Sequence, residues 1–129
     1  MITARSAKAK GTRVESWVTA FFQQCGWYAR RQPGSGIYES AGFPADNYVE
    51  SPDSSLSFVL ECKARKSGLK TIQGWLKVAN ILCLKPDHQE PYFILTREAM
   101  QDMCEHIAEL ENARKERQID VNDLLNKAK

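Results

Sequence analysis

Apolar residues along the chain fall into runs of helical or strand period, separated by polar turns. Val14, Trp17, Val18, Phe21, Phe22 and Cys25 repeat at i, i+3, i+4, i+7, i+8 and i+11. That spacing marks one face of an amphipathic helix, which Gly26 can end. "WYARR" predicts a short strand stopped by Pro33 and the Gly34-Ser35-Gly36 turn. "PADNYVE" predicts the start of a second strand, with "SPDSS" as the polar turn after it. Residues 56–64 predict a third strand, buried on both sides at its start. Ile72, Trp75, Leu76, Ala79, Leu82 and Cys83 return to helical spacing, and Pro86 stops that helix. "YFILT" predicts a buried strand of the parallel-sheet kind. Met100, Met103, Cys104, Ile107 and Leu110 make a last helical stripe. Beyond it "ENARKERQ" is polar all round and predicts a solvated break. "DVNDLLNKAK" then predicts a short final helix capped by Asp120. The order of helix, strands, helix, strand, helix predicts an α/β fold, a mixed central β-sheet flanked by helices.

The third strand carries an unusual end. Residues two apart in a strand share a face. Phe58, Leu60 and Cys62 take one face, and Val59, Glu61 and Lys63 take the other. A strand that begins apolar therefore ends with an acid and a base on the same side. A buried charge is costly unless it is paired or binds a metal. One reading is an ion pair between Glu61 and Lys63 at the strand end. The other begins from Asp46, in "FPADNYV", at the start of the preceding strand. If the two strands are neighbours, Asp46 and Glu61 converge. Two carboxylates and a backbone carbonyl suit Mg²⁺, which keeps several waters and often binds phosphate-bearing substrates. Lys63 would then hold a water or steady charge on a phosphate oxygen.

The length of 129 residues fits one domain, and 43% hydrophobic with 26% charged residues is ordinary for a globular chain. The four cysteines form no CxxC pair; Cys25, Cys83 and Cys104 lie on apolar stripes and read as buried free thiols. Neither His88 nor His106 has the spacing of a zinc ligand with them. No apolar run approaches bilayer length and no signal-peptide pattern opens the chain, so no membrane partner and a cytoplasmic location are expected. The net charge of +2 is uneven. Residues 1–40 hold six Lys/Arg against two acids, and residues 98–129 hold five against eight. A basic first third suits a polyanion such as nucleic acid, although a few solvated lysines account for it equally.

Taken in order, "KGTRVESW", "RRQPGSG", "FPAD", "FVLECK" and "TIQGW" resemble the PD-(D/E)XK nuclease superfamily, and within it the archaeal-type and phage Holliday junction resolvases. The resemblance runs from about Gly11 to Thr96. It implies a restriction-endonuclease-like core over residues 1–97, with residues 98–129 as a helical extension packed on the core or pairing with a second subunit. It implies that Asp46, Glu61 and Glu15 hold Mg²⁺ or Mn²⁺, and that Lys63 is the catalytic lysine. Ser35 would contact the region of the scissile phosphate. Lys10, Arg13, Arg30, Arg31, Gly34, Gly36, Arg65, Lys66 and Gln73 would face the DNA. The implied activity is metal-dependent hydrolysis of phosphodiesters in four-way junctions by a homodimer, in DNA recombination and repair. A phage-encoded protein acting in the host cytoplasm would fit. Pro-Ala-Asp departs from the tighter Pro-Asp of that family. Two alternatives stay open: another nuclease task on the same core, restriction, repair or single-strand, and a DNA-binding module without catalysis.

Overall fold

The computed structural model describes residues 4–31 and 46–128, with side chains from residue 13 onward. The chain is α/β. Its elements are α1 (Ala4–Gln24), β1 (Tyr28–Arg31), β2 (Asn47–Glu50), β3 (Ser57–Leu60), α2 (Lys70–Trp75), β4 (Ile81–Leu84), β5 (Tyr92–Leu95) and α3 (Arg97–Lys127). They divide into two compact units. One holds the residues up to Ala64 together with those from Cys104 on, and the other is Arg65–Met103. The boundary expected at residue 97 falls inside the second unit.

In the first unit α1 ends as its glycine predicts. Gly26 has φ 90, Gly26 N–H donates to Gln23 O at 3.0 Å, and Trp27 N–H donates to Phe22 O at 3.0 Å. Those two bonds are the paired C-terminal closure that needs a left-handed residue. The turn sends the chain into an antiparallel sheet of order β1-β2-β3. Ala29 pairs with Val49, and Val49 pairs with Phe58. Phe22, Cys25, Trp27, Ala29, Val49, Cys104 and Ala108 form the buried apolar core. Trp27 is its anchor: the ring stacks on Phe58 with centroids 6.3 Å apart, and Nε1–H donates to Cys104 O at 2.8 Å. Burial of an indole asks for a partner for its N–H, and α3 supplies one.

The second unit pairs β4 with β5 antiparallel, Ile81 opposite Leu95 and Leu84 opposite Tyr92. Thr96 N–H donates to Asn80 O at 3.0 Å and extends that ladder.

Several expectations are corrected. Among the described residues there is no single mixed sheet; the strands form one three-stranded and one two-stranded antiparallel sheet. The helical spacing through Leu82 and Cys83 breaks at Trp75, and those residues lie in β4, because a four-residue apolar run satisfies either period and here finds β5 as a partner. Cys83 is accordingly exposed rather than buried. β5 is not a buried parallel strand: Tyr92 and Phe93 are 64% and 63% exposed. β3 is four residues long rather than nine, and Phe58 and Val59 at its start are more than half exposed.

The polar run "ENARKERQ" does not break α3, which continues to Lys127. Glu, Ala, Arg, Lys and Gln are strong helix formers, and no Gly or Pro interrupts them. The turn between β2 and β3 also holds this stretch. Ser55 Oγ donates to Glu111 Oε1 at 2.9 Å, Arg114 lies 3.7 Å from Asp53, and Lys115 Nζ donates to Pro52 O.

Candidate functional site

The β2–β3 register ends with Asn47 opposite Leu60, and Asp46 and Glu61 are the next residues beyond that last pair. Asp46 N–H donates to Leu60 O at 2.9 Å, the last backbone rung. At the following rung the Asp46 side chain takes over, and Cys62 N–H donates to Asp46 Oδ2 at 2.7 Å. A carboxylate thus replaces a backbone carbonyl, and β3 stops at Leu60. Asp46 is only 6% exposed.

Glu15 comes from α1 to the same corner, placed by its own backbone. Asn47 is fully buried and its Nδ2 donates to Glu15 O at 3.0 Å and to Thr19 Oγ1 at 2.8 Å. Thr19 Oγ1 donates back to Glu15 O at 3.0 Å. Asn47 Oδ1 accepts from the Cys62 thiol at 3.2 Å. One amide therefore ties the Glu15 turn of α1 to β2 and to the exit of β3. Sequence reasoning passed over Asn47 and Thr19. The available signal was an asparagine, disfavoured in strands, directly beside the candidate aspartate.

The Glu15 carboxyl feels its neighbours. Burial pushes the Glu15 carboxyl above the ordinary range, and the Asp46 charge adds to this; the nearby Arg31 opposes it, while a side-chain hydrogen bond with Asp46 and the Glu61 charge raise it further. Arg31 Nε stands 3.2 Å from Glu15 Oε2, although no aligned hydrogen bond forms at that nitrogen. The Cys62 thiol is pushed up to about 11, by burial first and then by Asp46, Glu15 and Glu61. It stays protonated at neutral pH and serves as a donor, not a nucleophile.

Glu61 and Lys63 lie just past the strand end, half exposed, with Lys63 Nζ 3.1 Å from Glu61 Oε1. An exposed pair of this kind contributes about 0–1 kcal/mol to stability.

The donor chemistry fits a hard divalent cation. Asp46 and Glu61 are oxygen donors flanking the ends of adjacent strands, and Mg²⁺ asks for only one or two carboxylates and completes its shell with water and substrate. Among the described residues no group of three or more His, Cys, Asp or Glu is placed to hold a metal ion, the expected set of Glu15, Asp46 and Glu61 included.

The remaining predicted residues are placed as follows. Arg31 is taken up by Glu15. Arg30 is exposed on β1, its guanidinium 5.3 Å from the centroid of the Tyr48 ring, and Arg13 is exposed on α1. Arg65, Lys66 and Gln73 are exposed in the second unit. Ser35, Gly34 and Gly36, and the Lys10 side chain, lie outside the described residues.

Compared with protein families, with curated proteins and with solved structures, the chain matches none.

Proposed function

We propose that the protein is a Mg²⁺-dependent endodeoxyribonuclease with a restriction-endonuclease-like core, acting on four-way DNA junctions as a homodimer. One observation carries the reading. Asp46 and Glu61 follow directly on the last pair of the β2–β3 register, and the charges of both bear on Glu15.

A divalent cation bound there would supply Lewis acidity and a more acidic water. Asp46 and Glu61 are the residues that would hold it. Asp46 is held at this corner by the Cys62 N–H, which donates to its Oδ2. Lys63, 62% exposed, can swing from Glu61 to a phosphate oxygen and oppose charge that grows there during hydrolysis. Glu15, its carboxyl raised by burial first and then by Asp46, holds a proton more readily than an exposed glutamate. The junction substrate and the homodimer rest on the resemblance: two strands of like polarity cut symmetrically suit a two-fold protein.

A second reading has its own observation. Glu61 and Lys63 already form an ion pair, as a DNA-binding module without catalysis would have them.

The test is cleavage of a labelled four-way junction and a matched linear duplex, by wild type, Asp46→Asn and Lys63→Ala, with Mg²⁺ and with EDTA. Symmetric Mg²⁺-dependent nicking of the junction, lost in both variants while binding persists, supports the proposal. Equal cutting of both substrates keeps the nuclease and removes the junction. Binding without cleavage of either substrate leaves the second reading.

A further inference from the structure

From Cys62 to Pro86 the chain carries six lysines and arginines and no Asp or Glu. Three of the six, Arg65, Lys66 and Lys70, line a single open cavity of about 450 Å³ in the second unit. Ser67, Gly68 and Gln73 add hydroxyl, backbone and amide groups to the same wall. Among the described residues these three cations make no ion pair, although four salt bridges form elsewhere. Gly68 has φ 92, and a Cβ built there would meet nothing within 4 Å. The glycine is needed for its backbone conformation, and the loop is left open to close approach. Like charges gathered around one cavity repel unless a counter-anion lies among them. The volume suits a ligand of more than one phosphate group and falls within the range of small-molecule sites, about 300–1,000 Å³.

We propose that the 65–73 loop cavity is a phosphate-binding subsite that grips the sugar–phosphate backbone of nucleic acid. The choice of nucleic acid over a free phosphate ligand rests on the nuclease reading above; the cavity and its charge do not. Arg65 is the bidentate donor of the set, and Lys66 and Lys70 are point charges on flexible stems. Contacts of this type position a backbone without reading sequence.

The test is fluorescence anisotropy with labelled duplex and four-way junction in EDTA, so that binding is read apart from cleavage. The variant Arg65→Ala/Lys66→Ala/Lys70→Ala is compared with wild type and with Lys77→Ala/Lys85→Ala, cationic positions of the same unit that do not line the cavity. Circular dichroism and thermal melting confirm that the variants are folded. The expected result is a loss of affinity of at least about tenfold for the triple variant, with the slope of log K against log salt shallower by about 2–3, near 0.9 for each lost contact. The Lys77/Lys85 control should weaken binding no more than about threefold. Equal loss in both sets would overturn the subsite in favour of a diffuse basic surface. No loss in the triple variant would overturn it outright. Saturable binding of inorganic pyrophosphate, abolished by the triple variant while nucleic-acid binding is unchanged, would overturn nucleic acid as the ligand. If wild type never cleaves DNA yet binding depends on these three residues, the nuclease reading fails and the subsite stands. If wild type cleaves and the triple variant binds as tightly, the reverse holds.

Discussion

Asn47→Ala should destabilise the first unit more than any other single polar deletion on β2. The side chain is fully buried and makes two N–H···O bonds, to Glu15 O and Thr19 Oγ1, and accepts a weaker one from the Cys62 thiol. Each amide bond contributes about 1 kcal/mol net, and the void left by the amide adds on the order of 1 kcal/mol. Partial relief comes from Thr19, which still donates to Glu15 O. The sum is a loss of about 2–4 kcal/mol. Urea denaturation followed by far-UV circular dichroism reads it, with Thr19→Ala and the double variant completing a cycle. The two single losses should add to more than the double loss, because one bond is shared. A loss for Asn47→Ala below about 0.5 kcal/mol would refute the reasoning, since that is the range of substitutions touching nothing.

Further predictions concern charge and backbone. Glu15→Gln should raise the melting temperature at pH 8. Burial and neighbouring acids raise the folded-state pKa of Glu15 above its reference value of 4.5, so its ionisation costs stability as pH rises through the folded value. The advantage of the variant should vanish below about pH 4, and a benefit independent of pH would contradict the assignment. Asp53→Asn should lower the melting temperature at pH 7 with a difference that closes as pH falls towards 2. Asp53 is held at about 2 by a hydrogen bond with Glu111 first, then by the Ser55 hydroxyl and N–H, with Arg114 adding to it, so its stabilisation is present above the usual aspartate range and lost through the folded value. Gly26→Ala should cost about 1–2 kcal/mol by thermal melting, since φ is 90 and the new Cβ would stand 3.3 Å from Ala108 Cβ. An unchanged melting temperature would mean that the helix ends otherwise.

What was legible in the sequence was local. The stripe ending at Cys25 and the glycine after it define the end of α1, because both signals act within one turn. The adjacency of β2 and β3 was legible because "ADNYVE" and "LSFVLE" flank a short polar turn, and a hairpin of that length leaves little freedom of register. The length of β3 was not legible, since it depends on a side chain from another strand taking the Cys62 N–H. The pairing of Leu82 and Cys83 with β5 was hidden for a similar reason, as their spacing fits a helix until a partner strand exists. α3 runs through "ENARKERQ" because propensity and contacts with the 52–55 turn replace the missing apolar stripe. The place of Arg31 beside Glu15 follows from two elements meeting, which no single segment announces.

The most direct test of the central claim, that Asp46 and Glu61 form one divalent-cation site, is a Mn²⁺ titration followed by electron paramagnetic resonance of the free ion. The account predicts saturable binding to wild type, abolished in Asp46→Asn, weakened in Glu61→Gln and kept in Lys63→Ala. Binding that is unaltered in Asp46→Asn, or no binding to wild type with or without a DNA junction present, would contradict it.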